Sequence, residues 1–133
     1  MIKAVVGVLE ADDSFDVLML KRKDTDRETA GWCFPGGKRD GVEDLKETLI
    51  REFWEETGLD VCPVRLILCA DSGKYRIYAY EVVLAGTLPS ELVLSKEHED
   101  SAWVTPVDSV WGGLAGPVTE RILNLISRGN KNA

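Results

Sequence analysis

The sequence predicts an α/β sandwich, and three observations predict it. Short runs of β-branched and apolar residues come first. One strongly amphipathic helix interrupts them, and a second amphipathic stretch comes last, after further strand-like runs. There is no internal repeat, low-complexity segment or linker, so residues 1–133 are expected to form one domain.

Taken in order, Ile2 to Glu10 is rich in β-branched and apolar residues and breaks at Asp12-Asp13-Ser14. Asp16 to Lys21 resumes with Val17, Leu18, Met19 and Leu20, which suggests neighbouring strands. Lys21 to Thr29 is charged and reads as a solvated loop. Trp32-Cys33-Phe34 is a short apolar segment stopped by Pro35-Gly36-Gly37, where a turn is expected. Val42 to Thr57 is the clearest helix. From Val42, its apolar residues Leu45, Leu49, Ile50, Phe53 and Trp54 fall at offsets of 3, 7, 8, 11 and 12, one face of a 3.6-residue period. Gly58 follows as the terminator, where left-handed backbone is easiest. Val61 to Ala70 and Arg76 to Leu84 read as strands separated by Asp71-Ser72-Gly73. Gly86 to Ser101 is loop-like, and Ser101 to Thr105 makes a short strand around Trp103. Pro117 suits the first turn of a last helix, in which Val118, Ile122, Leu125 and Ile126 share a face and Gly129 is the stop.

Composition limits the function. The net charge of -7 argues against stable binding to nucleic-acid backbone or to anionic membrane. A small polyphosphate would then need local cations. The 3 cysteines, Cys33, Cys62 and Cys69, contain no C-x-x-C pair and read as free thiols of a reducing compartment. No run approaches the ~20 apolar residues of a membrane span. The first residues read as a strand rather than a signal peptide, which makes the cytoplasm the expected location.

The chemistry concentrates on the first helix. Glu55 and Glu56 fall about 60° and 40° to either side of Glu52, so all three carboxylates project from one stripe. Glu56 also lies near Leu49, at the edge of the apolar face. Packed like charges repel and lose hydration, and either protonation or a bound cation relieves them. Hard divalent ions such as Mg²⁺ suit such oxygen ligands. An acidic helix face that merely solvates is the alternative. Against it, the cluster lies near the helix C-terminus, where the dipole disfavours carboxylates. The Gly-Gly pair before the helix would also let a backbone carbonyl approach a metal.

Gly37, Glu43, Arg51, Glu52, Phe53, Glu55, Glu56, Gly58 and Leu59 form the pattern G-x5-E-x7-R-E-U-x-E-E-x-G-U, with U a bulky apolar residue. This resembles the signature of the Nudix family. With each fixed residue at ~7% usage, chance agreement at one place is on the order of 10⁻⁸, so the resemblance is specific. It implies an α/β/α sandwich with a mixed sheet between helices. It implies a Mg²⁺-dependent (Mn²⁺ possible) pyrophosphohydrolase acting on nucleoside diphosphates linked to another group. Glu52, Glu55 and Glu56 would bind the divalent ions, with the Gly37 carbonyl joining them. Arg51 would pair with a box carboxylate and orient it. Glu43 would be a structural or outer ligand, and Gly58 a backbone residue of the turn. Metals would bridge phosphate oxygens and activate a water that attacks phosphorus. Family members often take the proton on a glutamate well after the box. Glu97, in Glu97-His98, better matches that position, with Glu99 or a box glutamate such as Glu55 or Glu52 as alternatives.

Substrate contacts are more open. Lys38, Arg39 and Lys21-Arg22 are candidates to hold phosphates, against the ordinary role of solvating the surface. Trp32, Tyr75 and Tyr78 are candidates to stack on a base, against core packing. His98 is either a surface loop residue or a substrate contact beside Glu97. Among subgroups, ADP-ribose hydrolases tend to carry a proline where Lys74 and Tyr75 stand. Tyr75 lies near the tyrosine of diadenosine polyphosphate hydrolases. Arg22, Arg27 and Gly31 echo the coenzyme A pyrophosphatase lead-in, with Gly31 one residue too close to Phe34. The compact chain most resembles a nucleoside triphosphate hydrolase of the antimutator type, which would release a nucleoside monophosphate. Diadenosine polyphosphate or coenzyme A hydrolysis, or non-catalytic nucleotide sensing, are the alternatives. A small nucleotide is the expected partner, and the chain itself a monomer or homodimer.

Overall fold

The computed structural model describes residues 1–11, 14–23, 31–86, 92–94, 98–105 and 117–131. The elements run β1 (Ile2–Leu9), β2 (Val17–Arg22), β3 (Gly31–Cys33), β4 (Gly36–Lys38), α1 (Leu45–Thr57), β5 (Val61–Ser72), β6 (Tyr75–Leu84), β7 (His98–Val104) and α2 (Pro117–Lys131). The order matches the expected α/β arrangement.

The strands form two sheets, a four-stranded one ordered β4-β1-β6-β5 and a three-stranded one ordered β3-β2-β7. The first is mixed, because β1 runs parallel to β6 but antiparallel to β4. β1 and β2 were expected to be neighbours. They instead lie in different sheets and, among the described residues, share backbone pairing at the bridge Glu10–Val17 alone, because β4 and β6 already occupy both edges of β1.

The strands alternate between two cores, as a buried sheet with period 2 requires. Val5 and Leu9 of β1 join Leu18, Val61 and Val82 against Leu49 and Phe53 of α1. Val6 and Val8 face the other way, with Val17, Met19 and Ala79, against Val118, Ile122 and Leu123 of α2. Both sheet faces are therefore covered by a helix. Each fully buried Leu or Phe contributes about 1.5–3 kcal/mol by leaving water.

Four boundaries differ from expectation. Helix α1 starts at Leu45, not Val42, because the Asp44 side chain caps it by accepting the Lys46 N–H at 2.7 Å. Val42 is left fully exposed, and Ile50 and Trp54 are exposed as well. The buried stripe is instead Thr48, Leu49, Phe53, Glu56 and Thr57. Gly36 and Gly37 do not turn. The bend falls at Pro35, and the glycines pair with Val6 and Val5 of β1. Strand β7 begins at His98 rather than Ser101, since pairing with β2 extends to Arg22 opposite His98. Helix α2 passes Gly129 to Lys131, and Leu125 is exposed while Leu123 is buried. A helical glycine costs only ~1 kcal/mol, too little to force a stop here. Gly58 does end α1, with φ +74° and its N–H donated to the Trp54 carbonyl at 2.8 Å. Among the described residues no helix is long and apolar enough to cross a membrane.

Candidate active site

The box residues assemble where the C-terminal half of α1 lies over β4. Leu49 and Phe53 seat the helix on β1, and this orients the residues between and beyond them. Arg51 and Glu52 are half-buried, Glu55 is exposed and Glu56 is buried.

Arg51 sits at the centre of a carboxylate cluster. Its Nε and Nη2 donate to Glu43 at 3.1 and 3.0 Å. Its Nη1 donates to Glu52 Oε1 at 3.0 Å and to Glu55 Oε2 at 3.2 Å. A planar guanidinium with five donors can serve several carboxylates in this way, where a lysine ammonium cannot. The Thr48 hydroxyl donates to Glu43 Oε1 at 2.9 Å and so fixes the far end of the cluster. The hydrogen bond from Arg51 holds the Glu43 carboxyl below the usual carboxylate range. The same bond pushes the Arg51 guanidinium up, against the opposing effect of burial.

Gly37 faces this cluster. A Cβ built there would lie 2.6 Å from the Glu52 carboxyl carbon, so any other residue would fill the cradle. Next to it, the Gly36 N–H donates to Glu56 Oε1 at 2.8 Å. Glu56 is only 4% exposed, and its Oε2 lies 3.1 Å from His98 Nε2. Burial, and then the negative Glu56, push the neighbouring Cys33 thiol up to about 12, with Arg22 acting in the opposite direction.

The donor set suits a hard divalent cation. Glu43, Glu52 and Glu55 supply three carboxylates around one guanidinium, which leaves a surplus of negative charge and only oxygen donors, and the buried Glu56 lies on the same helix against Gly36 and His98. Among the described residues no three acidic, histidine or cysteine side chains converge into a group that could hold a metal ion as they stand, so Glu52, Glu55 and Glu56 would have to turn inwards to share one. Glu52 and Glu55 turn towards Arg51, and Glu56 turns towards Gly36 and His98.

The other candidates spread out around this centre. Lys38 is exposed at the end of β4, and the exposed Arg39 follows, its N–H donated to the Lys3 carbonyl at 2.9 Å. Both are chain neighbours of Gly37. Arg22 stands opposite His98 in the β2–β7 pairing. Tyr75 begins β6 opposite Ile2, with the Lys74 ammonium 5.5 Å from its ring centre. Tyr78, rather than Tyr75, is level with Gly37, since both pair with Val5. His98 is not a surface loop residue, because it lies in β7 and its side chain has 0% exposure. Glu97 falls outside the described residues, and Glu99 lies on β7. Cys33, Cys62 and Cys69 are free thiols.

Sequence reasoning missed two partners of the cluster, Thr48 and His98. Thr48 left a usable signal, because a Thr on the otherwise apolar stripe needs a hydrogen-bond acceptor. His98 left none, since its partner lies 42 positions earlier in the chain.

A family model described as the NUDIX domain matches residues 1–125. An 8-oxo-dGDP phosphatase of Danio rerio is 29% identical over 131 residues, covering 96% of this chain. The chain spans only 38% of that relative's length. A crystal structure of a MutT protein from Methanosarcina mazei aligns with TM-score 0.74 and 28% identity, over 98% of this chain and 95% of that one. An ADP-ribose pyrophosphatase structure from Streptococcus suis aligns with TM-score 0.76 at 21% identity, over 98% and 92% of the two chains, and shares the fold.

Proposed function

This chain belongs to the Nudix family, and from that premise we propose that it is a Mg²⁺-dependent pyrophosphohydrolase. Its substrate is a nucleoside diphosphate derivative, in first place a nucleoside triphosphate cleaved to the monophosphate. The observation that carries this reading is the Arg51-centred set of carboxylates packed on Gly37. Glu52, Glu55, Glu56 and the Gly37 carbonyl would hold the cation. When bound, Mg²⁺ supplies Lewis acidity to phosphate oxygens and makes a coordinated water acidic.

The chain's own groups have separate tasks. Arg51 spaces Glu52 and Glu55 and limits their repulsion. Glu43 anchors Arg51 from outside the cluster. Gly58 ends the helix just past Thr57, and this sets the exit of the chain after Glu56. Lys38 and Arg39 follow Gly37 in the chain, and their charge would offset that of phosphate on an acidic protein. Arg22 and Tyr75 are more distant substrate candidates. Glu97 is the proposed proton acceptor for the attacking water, with Glu99 as the alternative. The 8-oxo-dGDP phosphatase relative supports including oxidised purine nucleotides among the substrates.

The test is a panel of nucleoside triphosphates, oxidised purine nucleotides, diadenosine polyphosphates, ADP-ribose and coenzyme A, assayed for phosphate or pyrophosphate release with Mg²⁺. Turnover is expected with Mg²⁺ and none after chelation. Glu55→Gln should lower turnover by roughly 10²–10⁴-fold, since a lost metal ligand forfeits several kcal/mol of transition-state charge stabilisation, with an unchanged melting curve. Unaltered turnover in that variant would sink the mechanism. A ligand that raises the melting temperature but is never cleaved would point to a sensor.

A further inference from the structure

Glu56 is the carboxylate of α1 that folding has buried. A buried carboxylate is costly unless its oxygens are satisfied. One oxygen accepts the Gly36 N–H at 2.8 Å, and the other meets His98 Nε2 at 3.1 Å. The two partners come from different sheets, Gly36 from the four-stranded sheet and His98 from the three-stranded one. Glu56 is therefore where both sheets grip the box helix. One oxygen is thus hydrogen-bonded and the other is in ion-pair contact with the imidazole, outside hydrogen-bond geometry, and together they restrict rotation of the carboxylate plane.

We propose that His98 is a positioning residue for the cation site. Its Nε2 holds the Glu56 carboxylate in the orientation from which Glu56 serves Mg²⁺, and it ties β7 to α1. The inference rests on the reading of Glu56 as a metal ligand. His98 itself touches neither cation nor nucleotide, since its side chain is wholly enclosed by protein. Partners of this kind fix ligand orientation, and losing one typically weakens metal binding by about 10–100-fold.

Two variants separate positioning from simple core filling. His98→Phe fills the space but removes the nitrogen that faces Glu56. His98→Gln places an amide N–H near the Nε2 position. Titration calorimetry with Mn²⁺ alone should show binding weakened by about 10–100-fold in His98→Phe and largely restored in His98→Gln. At fixed Mg²⁺, His98→Phe should lower kcat and leave the nucleotide KM unchanged. A second measurement needs no variant. His98 is the sole histidine, so its imidazole NMR signals are unambiguous, and saturating Mg²⁺ should shift them.

A folded His98→Phe that binds Mn²⁺ as tightly as the wild type overturns the proposal and leaves the hydrolase reading intact. Imidazole signals that stay in place at Mg²⁺ saturation do the same, and they decide the matter if His98→Phe does not fold. A wild-type protein that binds neither cation removes the metal site itself, and the role of His98 with it.

Discussion

At the residue scale, adjacent glycines have opposite consequences. A Cβ on Gly37 would meet the Glu52 carboxyl at 2.6 Å, the mobile end of a flexible side chain. A Cβ on Gly36 would lie 2.0 Å from the Val5 carbonyl oxygen, which is backbone and cannot swing away. Gly37→Ala should therefore displace Glu52 at little cost in stability. Turnover is expected to fall by about 10–100-fold, as when a ligand loses its supporting contacts. Gly36→Ala should instead force β4 from β1 and cost about 1–3 kcal/mol, the usual range for overpacking. Urea unfolding and turnover, measured on both variants, check this split. Equal stability losses in the two would contradict it. Residue identity was legible at Gly37 from the motif alone. The reason for the glycine was not, because the clashing carboxylate is 15 positions away and meets it only once α1 lies on β4.

At the element scale, α1 shows how capping overrides periodicity. The apolar pattern admits Val42 to the helix, yet Asp44 ends the extended entry (φ −75°, ψ 156°) and takes the first free N–H. Asp44 with Glu47 three residues later is a recognisable N-terminal signal, so the true start was readable from the sequence. The cap leaves Val42 outside the helix, and the buried face centres on Leu49 and Phe53 with Trp54 in solvent. Asp44→Ala should destabilise the protein by about 1 kcal/mol, the typical worth of a lost N-cap. Chemical denaturation measures it. Metal affinity should stay near the wild-type value, since the proposed ligands Glu52, Glu55 and Glu56 lie in the C-terminal half of the helix. A large drop in Mn²⁺ affinity would show that the first turn also governs the box.

At the scale of the whole molecule, one side chain couples stability to the site. Phe53 is fully buried between α1 and the sheet, and it lies between Glu52 on one side and Glu55 and Glu56 on the other. Phe53→Ala should cost about 3–5 kcal/mol, a large part of the ~5–15 kcal/mol that holds a domain folded. The expected outcome is a much lower melting temperature, with turnover lost in proportion as the population unfolds. A variant as stable as the wild type would place the packing of α1 elsewhere. By itself the sequence determined the succession of the longer strands and both helices, though not β4, together with the Nudix signature and the carboxylate stripe Glu52, Glu55 and Glu56. Those follow from local spacing, since a helix of known period projects its residues in known directions. The tertiary structure alone decided that β1 and β2 part into different sheets and that Arg51 joins Glu43 to Glu52 and Glu55. It also decided that His98 is enclosed against Glu56. The strand pairings and the His98–Glu56 contact join residues far apart in the chain, which only the packing of both sheets on α1 brings together, whereas Arg51 finds its partners within 8 positions and side-chain rotamers decide among them.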